Sequence, residues 1–102
     1  MHCIQDGETI MGKSQRDKGN RFERQIVNLA LEAGKDAKRV PLSGASWLKG
    51  DVLIDNEVIE CKKRGTGFKQ IYSWIEGARY LVIGADRKEP LIVMRFSDWL
   101  DT

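Results

Sequence analysis

Asp51, Glu60 and Lys62 are the residues whose types and spacing best suit chemistry. The segments Asp51-Val52-Leu53-Ile54 and Val58-Ile59-Glu60-Cys61-Lys62 read as two short strands joined by a polar turn. A two-residue loop at Asp55-Asn56 pairs Ile54 with Glu57 and sets Asp51 across from Glu60. A loop at Asn56-Glu57 sets Asp51 across from Lys62. In both registers Asp51, Glu60 and Lys62 share one face, because opposed residues, like residues two apart, point the same way. A three-residue loop breaks the arrangement and sets Asp51 opposite Cys61. With the first loop, Leu53 and Val58 lie on the site face and Val52, Ile54, Ile59 and Cys61 behind it.

Two carboxylates side by side on a covered sheet repel each other and lose hydration. A cation between them removes the repulsion, as does a proton kept by one of them. Hard oxygen donors without a His or Cys cluster favour Mg²⁺, with Mn²⁺ as substitute, over zinc. Such an ion keeps several waters and binds a phosphate oxygen, and Lys62 is placed to hold the water or the phosphate. The plain alternative is a salt-bridged strand surface built from Glu60, Lys62 and Asp51.

The net charge of +2 suggests no polyanion partner by itself, but its distribution is more informative. Residues 12–41 carry eight basic side chains against four acidic ones. In residues 43–60 Lys49 stands alone against Asp51, Asp55, Glu57 and Glu60, and in residues 61–70 Lys62, Lys63, Arg64 and Lys69 are unopposed. An acidic centre between basic flanks suits a metal site that serves a polyanion, whereas solvated surface is the ordinary reading of any one charge run. Two distant cysteines argue against a disulfide framework, and a single histidine argues against a zinc site. The apolar runs are of strand length, so no membrane partner is expected. No charged-then-apolar leader is visible and the expected address is cytoplasmic. Met11 offers an alternative start.

The elements that must position these residues follow from periodicity. Residues 1–17 show no hydrophobic period and read as a mobile basic and polar arm, and residues 18–102 read as a single domain. A helix is expected over 18–33, with Phe22, Ile26, Leu29 and Ala30 as its apolar stripe, Arg21, Arg24, Gln25 and Asn28 away from it, and Gly34 as its stop. A strand over 37–40 ends at Pro41, and Ser43-Gly44-Ala45-Ser46 reads as a loop. After the hairpin come a helix over 67–76, strands over 79–83 and 91–94, and a short helix capped by Ser97. The order α-β-β-β-α-β-β-α describes an α/β domain, a mixed central sheet flanked by helices.

Asp51, eight intervening residues and then Glu60-Cys61-Lys62 resembles the active-site pattern of the PD-(D/E)xK nuclease superfamily, and with it a restriction-endonuclease-like core. The surroundings resemble more closely the archaeal and phage-type Holliday junction resolvases. Gly19-Asn20-Arg21-Phe22-Glu23 fits their helix glutamate, and Arg39-Val40-Pro41-Leu42-Ser43-Gly44 fits their Arg-x-Pro-x-Ser-Gly segment. The likeness runs over about residues 18–70. Gly50 stands where the family often has Pro, and Ser46 is a second serine in the loop.

The resemblance implies a metal-dependent endonuclease that resolves four-way DNA junctions by phosphodiester hydrolysis. It implies that Asp51, Glu60 and the carbonyl of Cys61 bind the metal, with Glu23 as an outer or second-metal ligand. It implies further that Lys62 positions or activates the water and that Ser43 sits near the scissile phosphate. Arg21, Arg24, Arg39, Lys49, Lys63, Arg64 and Lys69 are the expected DNA contacts, read mostly through phosphates. Paired cuts need two sites, so a twofold homodimer is expected, with Phe96, Trp99 and Leu100 suited either to its interface or to closing the core. Trp47 suits stacking on a base or packing, and Trp74 suits the core or a subunit contact. The rival readings are a nuclease of the same fold acting on flaps, forks or duplex DNA, and a non-catalytic DNA-binding module.

Overall fold

Helix α1 (Gly7–Glu32) opens the computed structural model, which describes residues 7–40 and 50–102, with side chains from Arg16 onward. Its buried line is Ile26 and Ala30, extended by half-buried Phe22, residues spaced by four and so stacked on one face. Arg21, Arg24, Gln25 and Asn28 are exposed, as the stripe requires. Leu29, expected in the stripe, is instead 38% exposed, because the 22–26–30 line already fills the contact. The helix stops at Gly34, whose φ of +86° is the left-handed conformation that only glycine adopts cheaply. The Lys35 N–H returns to the Ala30 carbonyl at 3.0 Å and the Gly34 N–H to the Leu31 carbonyl at 3.0 Å, the paired bonds of a glycine-terminated helix. At its other end the helix reaches back to Gly7, into the segment expected to be an arm. That segment has no apolar period, so periodicity gave no means of seeing it as helix.

The chain forms two compact units, Met1–Lys63 and Arg64–Thr102. In the first, strands β1 (Ala37–Arg39), β2 (Val52–Ile54) and β3 (Glu57–Ile59) make an antiparallel sheet in the order β1-β2-β3. Val52 and Ile54 are fully buried on the face that meets α1, beside Ile26, Ala30 and Val40. Burying an aliphatic side chain of this size stabilises by about 1.5–3 kcal/mol, so these few residues dominate the unit's core.

The second unit contains α2 (Lys69–Ile75), β4 (Tyr80–Ile83), β5 (Leu91–Met94) and α3 (Phe96–Leu100). Strands β4 and β5 pair antiparallel with Ile83 opposite Leu91 and Tyr80 opposite Met94. Phe96 and Trp99 stack at 5.8 Å on α3. Arg95 stands at the N-cap position without a side-chain capping bond and Ser97 lies inside the helix, so the expected serine cap is corrected. Trp74, Tyr72, Val82 and Ile92 are exposed, which removes Trp74 from the core.

The architecture is mixed α/β with small antiparallel sheets. The eight elements of the described residues were all expected, with β1–β3 pairing in the first unit and β4 with β5 in the second. No helix among the described residues is long and apolar enough to cross a membrane.

Candidate active site

The turn and residues 52–54 follow the first of the registers open to the sequence, but the pairing stops at Val52 and Ile59, so the expected Asp51–Glu60 pair is corrected. Ile54 pairs with Glu57, Leu53 with Val58 and Val52 with Ile59. Asp55 and Asn56 form the loop with φ of +49° and +69°. Two successive positive φ values give the turn whose twist matches a hairpin, and Asp and Asn tolerate them better than other non-glycine residues. The Asp55 carboxylate accepts the Asp36 N–H at 2.9 Å, and its own N–H donates to the Asp36 carbonyl at 2.7 Å. These bonds tie the turn to the start of β1.

Asp51 is held from both neighbouring strands. Its carbonyl accepts the Val40 N–H at 3.0 Å on the β1 side, and its own N–H donates to the Ile59 carbonyl at 2.8 Å on the β3 side. Since Ile59 already faces Val52, the ladder is bulged here, a common device for re-aiming a side chain. The Asp51 carboxylate turns along β3 and accepts the Cys61 N–H at 2.8 Å. Strand β3 consequently ends at Ile59, short of the expected Lys62.

Gly50 makes this approach possible. Its φ is +106°, and a Cβ there would collide with Val58 Cγ1 and stand 3.2 Å from the Ile59 carbonyl oxygen. The family's frequent proline cannot adopt that φ, so glycine is a requirement of this backbone rather than a neutral exchange. Gly50→Ala is expected to destabilise by about 1–3 kcal/mol, read as a lowered midpoint in urea unfolding. An unchanged midpoint would show that the backbone at this position relaxes freely.

Glu60 and Lys62 project to the same side and form an ion pair, Nζ to Oε2 at 3.1 Å. Both side chains are more than half exposed, and such a surface pair contributes about 0–1 kcal/mol. It is therefore an easily exchanged resting contact. Glu23, on α1, is nearly buried at the edge of the apolar stripe. Its Oε1 accepts from Arg39 Nη2 at 2.8 Å and from Arg39 Nε at 3.1 Å. The same Nη2 donates to Asn20 Oδ1 at 2.8 Å. Arg39, expected at phosphates, is thus engaged with Glu23. Asn20 lies in the Gly19–Glu23 segment, and its residue type alone suggested no role. Its signal was present in the three-residue spacing to Glu23 on a helix.

Cys61 lies next to Glu60 in the chain, and its amide is held by Asp51. Burial first, and then the charges of Asp51, Glu23 and Glu60, push the Cys61 thiol up to about 11 from 9.0. At neutral pH the thiol is protonated. In a Cys3→Ser background with EDTA, alkylation of Cys61 at pH 8 is expected to run at least about tenfold slower than in the unfolded chain. Unfolding stability should fall between pH 9 and 11, where the unfolded state gives up this proton before the folded one does. Equal alkylation rates in the folded and unfolded chain would contradict the assignment.

Among the described residues no three His, Cys, Asp or Glu groups already form a metal cage. Each carboxylate is turned to a protein donor instead: Asp51 to the Cys61 amide, Glu60 to Lys62, Glu23 to Arg39. The donor types nevertheless suit a hard divalent cation, since all three are carboxylates and Glu60 is held only by an exposed ion pair.

The expected DNA contacts fall in both units. Arg21 and Arg24 lie on the exposed side of α1, and the Lys63 ammonium stands 5.3 Å over the Phe22 ring. Arg64 and Lys69 are exposed in the second unit. Ser43, Ser46, Trp47 and Lys49 lie outside the described residues.

No curated protein and no solved structure gives a significant match to the chain. A family model does: residues 14–99 match the one described as archaeal Holliday junction resolvase (Hjc). That span takes in the hairpin and the helix glutamate and covers most of each unit. The chain accordingly belongs to the archaeal Holliday junction resolvase family, the structure-specific, metal-dependent DNA endonucleases that resolve four-way junctions.

Proposed function

We propose that junction cleavage is carried out at the β2–β3 hairpin of a single nuclease domain spanning residues 18–102. The observation that carries this reading is the bulge at Asp51, which points its carboxylate at Cys61, the residue between Glu60 and Lys62. Asp51, Glu60 and the Cys61 carbonyl would hold the divalent cation, Mg²⁺ with Mn²⁺ as substitute, and Glu23 would serve as an outer or second-metal ligand. When bound, the cation supplies charge stabilisation at phosphorus and a more acidic water.

The chain's own residues do the rest. Lys62, released from Glu60 when that carboxylate finds a better partner, orients the attacking water or the phosphate oxygen. Hydrolysis forms one bond from the water oxygen to phosphorus and breaks one phosphorus–oxygen bond. The water gives up a proton and the leaving oxygen takes one. Ser43 is proposed near the scissile phosphate. Arg21, Arg24, Lys49, Lys63, Arg64 and Lys69 meet phosphates along the arms, as does Arg39 through the part of its guanidinium turned from Glu23.

Two nicks in one junction require two such sites, and a twofold homodimer supplies them. Exposed Tyr72, Trp74, Val82 and Ile92, together with the aromatic α3, support an apolar interface. The test is incubation with a labelled four-way junction, a fork and a linear duplex, with Mg²⁺ or with EDTA. Paired symmetric nicks confined to the junction and abolished by EDTA are expected. Equal cutting of linear duplex would refute junction selectivity.

A further inference from the structure

We propose that Asn20 is a positioning residue for cleavage: its Oδ1 orients the Arg39 guanidinium, and Arg39 in turn fixes where the Glu23 carboxylate stands. This inference rests on the reading of Glu23 as part of the site. Asn20 and Glu23 are three residues apart on α1 and therefore share a face, while Arg39 comes from β1. Arginine has only donors, so the Asn20 atom that meets it is the amide oxygen.

The two protons of Arg39 Nη2 are divided, one to Glu23 Oε1 at 2.8 Å and one to Asn20 Oδ1 at 2.8 Å. The Nε proton goes to the same Glu23 oxygen at 3.1 Å. Without Asn20, both remaining bonds converge on a single oxygen, and carboxylate and guanidinium can pivot about it. With Asn20, a third point off that axis fixes the guanidinium plane. The Glu23 side chain is 17% exposed and that of Arg39 31%, so water competes only weakly for these bonds and their geometry is kept.

The test has a spectroscopic and a kinetic arm. In the metal-free protein, the ¹⁵N-resolved Nε–H signal of Arg39, assigned by its loss in Arg39→Lys, should move toward the position of free arginine in Asn20→Ala. It should stay near wild type in Asn20→Asp, which keeps an acceptor oxygen. Under single-turnover conditions with saturating Mg²⁺ and junction, Asn20→Ala should cleave about tenfold more slowly. Junction affinity and melting temperature should stay unchanged, and Asn20→Asp should fall within about twofold of wild type. In a Glu23→Gln background, Asn20→Ala should cost nothing further, as expected when one residue acts through the other.

An unmoved Nε–H signal overturns the proposal, as does the same loss of rate with and without Glu23→Gln. So does a slowing that merely follows a loss of folded protein. If Glu23→Gln itself cleaves like wild type, the reading of Glu23 as a site residue fails first. A moved Arg39 signal would then mark a clamp with no catalytic role.

Discussion

Asp51→Asn is expected to slow single-turnover cleavage of a four-way junction by on the order of 10²–10³-fold while fold and junction affinity stay close to wild type. The backbone bonds that hold Asp51, to Val40 and Ile59, do not involve its side chain. The side-chain bond to the Cys61 N–H needs only an acceptor oxygen, which asparagine retains. What the substitution removes is the negative charge, and with it the attraction for a divalent cation. Junction affinity comes from phosphates neutralised by basic side chains, none of which is altered. Asp51→Ala is a useful contrast, because it also leaves the Cys61 amide without its partner and should lower stability by about 1 kcal/mol. A folded Asp51→Asn protein that no longer binds junctions would place Asp51 in DNA binding instead.

Lys62→Met is expected to reduce cleavage by about 10²–10⁴-fold, the range for a positioned proton-transfer or water-orienting group. Its effect on cation binding should run the other way. In the resting protein Lys62 occupies Glu60 Oε2 at 3.1 Å, so removing the ammonium frees that oxygen and removes a competing positive charge. Divalent-ion affinity should therefore stay equal or rise as the rate falls, a split that simple damage to the site would not produce. Parallel loss of rate and of ion affinity in a folded Lys62→Met protein would contradict this role. Methionine preserves the length and apolar stem of lysine, so the half-exposed surface should tolerate it.

The hairpin was legible because its turn chemistry is local. Asp55 and Asn56 accept positive φ, and the alternation of Val52 and Ile54 places those two residues inward. The course of Asp51 was less legible. Its bulge depends on Gly50 at φ +106° and on a carboxylate that captures the Cys61 amide and ends the strand. That is competition between a side-chain acceptor and the ladder, which no periodicity reports. Helix α1 was visible only from where its apolar stripe begins. Leu29 was drawn into the stripe by residue type, although the stacked line through Ile26 and Ala30 already filled the contact. The proposed site residues Asp51, Glu60, Lys62 and Glu23 were singled out by residue type and resemblance. Neither indicated that Glu23 is held by Arg39 and Asn20, because that contact joins a helix to a strand sixteen and nineteen residues away.

That the hairpin carboxylates hold the divalent cation is tested most directly by titrating the DNA-free protein with Mn²⁺ and following the solution electron paramagnetic resonance signal of the free ion. Wild-type protein should quench the signal, Lys62→Met at least as strongly, and Asp51→Asn and Glu60→Gln should leave it close to that of buffer. Quenching by Asp51→Asn and Glu60→Gln as strong as by wild type would show that the cation is held elsewhere.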